Sequence, residues 1–121
     1  MGNVRLFVYG TLKEGFENHA RYCSNAGRIE KATASGRLYD TGAGYPAMQF
    51  SDNPAEIVHG EIITLPEADL PLLDELEEVP ELYCRQEISC QLTSGKPVIA
   101  WCYIMERLPE HALLIDSGRW E

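Results

Sequence analysis

The chain has 121 residues, 45% of them apolar and 24% charged, with a formal net charge of −9. That length and balance suit one domain over residues 1–121 with a sizeable core, and argue against disorder. With no Lys/Arg cluster and no apolar run near the length of a membrane span, neither a nucleic acid nor a membrane is expected as partner.

Met1 to Val4 lead straight into an apolar, strand-favouring run, Leu6-Phe7-Val8-Tyr9, so no signal peptide is expected. Gly10 breaks that run where the backbone must turn or approach something closely. Thr11-Leu12-Lys13-Glu14 has capping-box spacing and predicts a helix from Lys13 to Cys23, its start delayed by Gly15. A strand, a glycine and a helix start leave backbone N–H groups unpaired, and such a turn suits a carboxylate or a developing oxyanion. Many such turns hold nothing, so the pattern alone leaves both readings open.

Asn25-Ala26-Gly27 ends the helix, and Ile29 to Leu38 predicts a strand ending at Tyr39. Asp40-Thr41-Gly42-Ala43-Gly44-Tyr45-Pro46 is a tightly specified loop. It either presents Tyr45 to a pocket or packs an aromatic over the end of a barrel. A short strand at Pro46 to Phe50, a turn at Ser51 to Ala55 and a central strand at Ile57 to Leu65 follow. Thr64-Leu65-Pro66-Glu67 has capping-box spacing for a helix carrying Pro71 near its start and running to about Glu77. Arg85 to Leu92 and Pro97 to Met105, joined by Thr93-Ser94-Gly95-Lys96, predict an antiparallel hairpin. Glu106 to Ile115 is read as a short helix. Short strands with interspersed helices give an α+β fold: a small, mostly antiparallel sheet that curls or closes into a barrel, flanked by helices.

Cys23, Cys84, Cys90 and Cys102 have no C-x-x-C spacing, and His19, His59 and His111 are scattered, so no metal site is indicated. Reduced thiols and a cytoplasmic setting are expected. The chemistry concentrates in Leu72-Leu73-Asp74-Glu75-Leu76-Glu77-Glu78. At about 100° per residue, Leu70, Leu72, Leu73 and Leu76 define one apolar direction, with Glu77 about 70° from it. Asp74 and Glu75 lie about 130° away and Glu78 nearly opposite, which places those three toward water. A carboxyl at the edge of a buried stripe, beside like charges, has its pKa raised toward the range of a general acid/base. A border residue that snorkels to solvent is the plain alternative.

Two separated stretches are more specific together than either alone. Tyr9-Gly10-Thr11-Leu12-Lys13 with Asn18-His19 resembles the substrate loop of the γ-glutamylcyclotransferase-like family. Leu73-Asp74-Glu75-Leu76-Glu77 with Tyr83-Cys84-Arg85 resembles its L-D-x-x-E … Y-x-R segment. Gly44-Tyr45-Pro46, Val58-His59-Gly60-Glu61 and Trp101-Cys102-Tyr103 match further short motifs, in the family's order.

The resemblance implies a small mixed β-barrel with flanking short helices, the butirosin-biosynthesis-like fold. It implies a pocket between the Tyr9–Leu12 turn, the loop at Tyr45 and the helix bearing Glu77. It further implies that a γ-glutamyl amine or amino acid is cleaved by its own α-amine, releasing 5-oxoproline with no metal or other cofactor. Carried over by position, Glu77 matches the catalytic glutamate, Tyr9, Gly10, Thr11 and Leu12 the substrate turn, and Tyr83 an aromatic of the pocket wall. The partner is then a small γ-glutamyl substrate, and the chain a monomer or weak homodimer. Arg85 is read as a salt-bridge partner more readily than as a carboxylate anchor.

In one respect the chain departs from the pattern. The family usually has Gly after the glutamate, and here Glu78 stands there. A positive φ at that position strains Glu78; otherwise it adds charge beside Glu77. The competing functions are a non-catalytic binding module for an anion or amino acid in the same pocket, and a structural or interaction protein with a vestigial pocket, which a Glu77–Arg85 pair would favour.

Overall fold

The unbroken apolar run at Leu6-Phe7-Val8 has a simple cause: its strand, β1 (Asn3–Val8), is covered on both faces. Phe7 packs with Leu38, Ile62, Ile88 and Cys102, while Leu6 and Val8 pack with Leu65, Leu73, Tyr83 and Tyr103. The first group fills a barrel and the second lies between the barrel and its helices. A strand buried on two faces loses the polar–apolar alternation of a half-exposed one.

The computed structural model describes residues 2–121. Met1, where the signal-peptide reading began, lies outside the described residues. After β1 come α1 (Glu17–Tyr22), β2 (Arg28–Asp40), β3 (Pro46–Phe50), β4 (Ile57–Pro66), α2 (Leu70–Leu76), β5 (Cys84–Leu92), β6 (Pro97–Ile104) and a two-residue β7 (Leu113–Leu114). Strands β2-β4-β1-β6-β5 are neighbours in that order, and β5 pairs back onto β2 at Ala32–Ala34, which closes the barrel. Among the described residues β1 and β6 alone run parallel; every other pairing there is antiparallel. The long β2 serves twice, pairing with β4 over Arg28–Ser35 and with β3 over Gly36–Asp40. The fold is the expected α+β barrel with short flanking helices. No helix among the described residues is long and apolar enough to cross a membrane.

Three local expectations are corrected. The helix predicted from Lys13 is only Glu17–Tyr22, because Gly15 sits at φ 98, outside any right-handed turn. Neither capping box forms: Phe16 precedes α1 with no side-chain cap, and Thr64 is still in β4, paired with Arg5. The helix predicted over Glu106 to Ile115 is absent. That segment folds back as irregular chain and β7 so that Ile115 N–H can donate to Leu38 O at 2.8 Å. Long-range pairing with β2 overrides a weak local helical pattern.

Candidate active site

Where β1 leaves the barrel, Tyr9 and Gly10 carry the chain into a tight turn closed by Lys13 N–H donating to Gly10 O at 3.1 Å. A Cβ on Gly10 would stand 2.6 Å from Cγ of Pro46, so glycine is what lets the two loops touch. The turn is pinned from outside. Glu14 N–H donates to Oε1 of buried Glu61 at 2.8 Å, and Lys31 Nζ reaches Oε2 of the same carboxylate at 3.1 Å. Asn18 donates to Thr11 Oγ1, and His19 Nδ1 lies 2.8 Å from Leu12 O. The N–H groups of Gly10, Thr11 and Leu12 have no acceptor among the described residues. These three residues line a cleft of about 360 Å³, counting its open mouth.

Glu77, the residue that caps the C-terminus of α2, lines the same cleft. The helix is fixed to the barrel by Leu73, fully buried among Leu6, Ile63 and Leu65. Burial first, and the charge of Glu78 second, push the Glu77 carboxyl up to about 7. No hydrogen bond or ion pair to it is found among the described residues. It is the one carboxyl lining this cleft among the described residues.

The helical wheel needs two corrections. Leu72 is exposed at 53%, so the buried direction is set by Leu70, Leu73 and Leu76 and turns toward Glu77. Asp74 does not face water. Its carboxylate takes Arg85 Nε at 2.9 Å and Nη2 at 3.0 Å, and Tyr103 OH at 2.8 Å. Burial works against its charge, but the hydrogen bonds from Arg85 and Tyr103 hold it below the usual carboxylate range. Arg85, which also lies 4.6 Å from the Trp101 ring, is therefore Asp74's partner and not Glu77's.

Tyrosines complete the walls. Tyr83 OH donates to Pro46 O at 2.6 Å, and Tyr9 OH to Tyr103 O at 2.6 Å. Burial pushes the phenols of Tyr9, Tyr83 and Tyr103 upward. With their protons committed to fixed acceptors, these rings shape the walls of the cleft. Tyr45 reaches the same cleft from its loop, its ring centroid 6.4 Å from that of Tyr83. The loop turns sharply at Gly42 and Gly44, with φ of 82 and 92, and Thr41 Oγ1 donates to Tyr45 O at 2.7 Å.

The structure thus brings Tyr9, Gly10, Thr11, Leu12, Tyr45, Glu77 and Tyr83 to one cleft. Sequence reasoning missed Asp74 and Tyr103, which lock α2 to β6, and the buried Glu61, which ties down the turn. Alternation along β4 puts Glu61 on the face opposite Ile62, outside the barrel, and only the register shows that Lys31 and the turn cover it there. The cysteines are unpaired, and burial pushes Cys23 to about 11 and Cys90 to about 12, so neither is a ready nucleophile. No cluster of three or more His, Cys, Asp or Glu side chains suited to a metal ion occurs among the described residues.

Residues 6–121 match the family model described as gamma-glutamyl cyclotransferase, AIG2-like. A Niallia circulans protein named gamma-L-glutamyl-butirosin B gamma-glutamyl cyclotransferase is 39% identical over 110 residues, covering 84% of this chain and 67% of its own. A putative gamma-glutamylcyclotransferase of Methanocaldococcus jannaschii is 35% identical over 121 residues, covering 96% of this chain and 94% of its own. In the crystal structure of an AIG2-like protein from Mus musculus the same fold recurs, with a TM-score of 0.77 at 26% identity over 92% of this chain and 87% of that one.

Proposed function

Because the chain belongs to the gamma-glutamyl cyclotransferase, AIG2-like family, we propose that it cyclises the γ-glutamyl group of a γ-glutamyl amine or amino acid, with Glu77 as the general acid/base. The substrate's α-amine attacks its own γ-carbonyl carbon. A C–N bond forms within the five-membered ring, the original amide C–N bond breaks, and the products are 5-oxoproline and the free amine. The proton lost by the α-amine is the one the leaving nitrogen requires, so one carboxylate between them serves both steps and no water is consumed.

The observation that carries this reading is the pairing of Glu77 with unpaired amides across one cleft. The Gly10–Leu12 amides suit the γ-carbonyl oxygen as charge develops on it, or the α-carboxylate of the glutamyl group. A well-aimed oxyanion donor is worth about 3–4 kcal/mol. Holding the glutamyl chain folded supplies intramolecular alignment worth roughly 7–11 kcal/mol. A carboxyl near 7 exchanges protons at little cost in either direction at neutral pH, and such catalysis contributes on the order of 10²–10⁴-fold. A simple binder of anions gains nothing from an uncompensated acid on the cleft wall, which weighs against the binding-module alternative. A Glu77–Arg85 pair would have favoured a structural or interaction protein with a vestigial pocket, and Arg85 is instead paired with Asp74.

The test is 5-oxoproline release from a panel of γ-glutamyl compounds. Glu77→Gln should abolish turnover while the fold and substrate binding persist. Ligand-induced stabilisation of the wild type without product would replace the enzyme reading with the binding module.

A further inference from the structure

The cleft does not end at Glu77. A second hollow, open to solvent, shares Thr11, Tyr45, Glu77 and Tyr83 with the first. Its own floor and rim include Leu76, Leu82 and Glu78. If the glutamyl group folds against the Gly10–Leu12 amides and its scissile nitrogen meets Glu77, the group beyond that nitrogen extends into this compartment. No Lys, Arg or His lines either compartment among the described residues.

Glu78 is held there by its backbone. Glu78 N–H donates to Glu75 O at 3.1 Å and Val79 N–H to Asp74 O at 3.0 Å, the paired bonds of a Schellman helix end. Glu78 occupies its left-handed position at φ 53, the position usually given to glycine. Its side chain is exposed and makes no ion pair among the described residues. We propose that Glu78 is a specificity-determining residue that selects a leaving amine with a short aliphatic stem and a distal positive charge, the chemistry of an alkyl diamine, over one ending in a carboxylate. Leu76 and Leu82 suit the stem, and Tyr45, in the same lining, suits a cation–π contact. This rests on the cyclisation reading of the Glu77 cleft.

Three γ-glutamyl amides whose leaving amines each carry four carbons test it: those of putrescine, butylamine and γ-aminobutyrate, ending in a cation, a methyl group and a carboxylate. Opposite charges some 6 Å apart at a wet rim give roughly three- to tenfold per charge type. The wild type should prefer the cationic over the anionic amide by roughly tenfold or more in kcat/KM, less so at high salt. In Glu78→Gln, which keeps the side chain's size, and in Glu78→Gly, the ratio should fall to within about threefold. Taking the ratio within each variant cancels any change in Glu77's own ionisation. Equal turnover of all three amides by the wild type, or a preference surviving in Glu78→Gln, overturns the role of Glu78 while leaving the cyclotransferase reading intact. Release of 5-oxoproline from none of them removes the premise and the proposal together.

Discussion

Helix α2 carries two carboxyls one turn apart, and they are treated in opposite ways. Asp74 is given an Arg85 fork and a tyrosine hydroxyl, and its pKa is held down. Glu77, at the helix end, is given a desolvated wall and a second acid behind it, and its pKa rises to about 7. The helix is the same and so is the functional group; the difference lies in the partners that β5 and β6 bring to one and withhold from the other. A satisfied carboxylate anchors. An unsatisfied one remains free to exchange a proton, and its poor solvation is part of the cost of the site.

The sharpest way to break this contrast is to remove the proton carrier. Glu77→Gln preserves shape and is expected to lower kcat by about 10²–10⁴-fold, measured as 5-oxoproline release, with little change in the far-ultraviolet circular dichroism. The same variant reports on stability through its pH dependence. Below about pH 4.5 Glu77 is protonated in both folded and unfolded chains, and its contribution is fully present; it is lost as pH rises through about 7. Wild-type stability should therefore fall across this window by up to about 3 kcal/mol from this group, and the glutamine variant should lack that fall. Denaturant titrations at pH 4.5 and 8 check it. A variant with the wild-type slope would show that burial of Glu77 is not costing the fold anything.

Asp74 predicts the reverse sign. Its depressed pKa means stability present above the ordinary aspartate value and lost as pH falls through the folded one. Asp74→Asn weakens the Arg85 fork and should cost about 2 kcal/mol at pH 7, with the acid limb of unfolding shallower than in the wild type. Because Tyr103 OH binds the same carboxylate and Tyr103 O receives the hydroxyl of Tyr9, KM should rise with the loss of this anchor.

These contrasts bear on what the chain discloses before folding. The barrel was legible because β-strand runs and turn residues are local signals: Pro46–Phe50 and the β5–β6 hairpin stand where the sequence put them. The pairing of Glu77 with the distant Tyr9–Leu12 turn came from family resemblance, with periodicity only marking Glu77 as borderline. Asp74 was misread because a helical wheel knows the helix's own faces and nothing of Arg85 and Tyr103 on β5 and β6. Leu72 was misread for the same reason: its direction is apolar on paper, but no layer of the barrel covers it. Glu61 was invisible as a brace for the turn because Lys31 meets it only through the β2–β4 register and Glu14 only through the turn that follows β1 in the β1–β4 pairing.

The smallest expected effect falls at Glu78, where the sequence left two possibilities and the structure holds both. The residue is in the left-handed region at φ 53, and it also adds charge behind Glu77. A non-glycine residue in that conformation costs about 1 kcal/mol. Glu78→Gly should recover that energy and raise Tm by about 4 °C. With its nearest like charge gone, the Glu77 pKa should move down from about 7, and the acid limb of kcat/KM should move with it. Glu78→Gln separates the two causes, since it removes the charge and keeps the side chain in a strained conformation. The acid limb should shift in both variants and the gain in Tm should appear with glycine alone. A glutamine variant as stable as the glycine one would assign the cost to repulsion between the two acids, and would make the helix end a problem of charge more than of backbone.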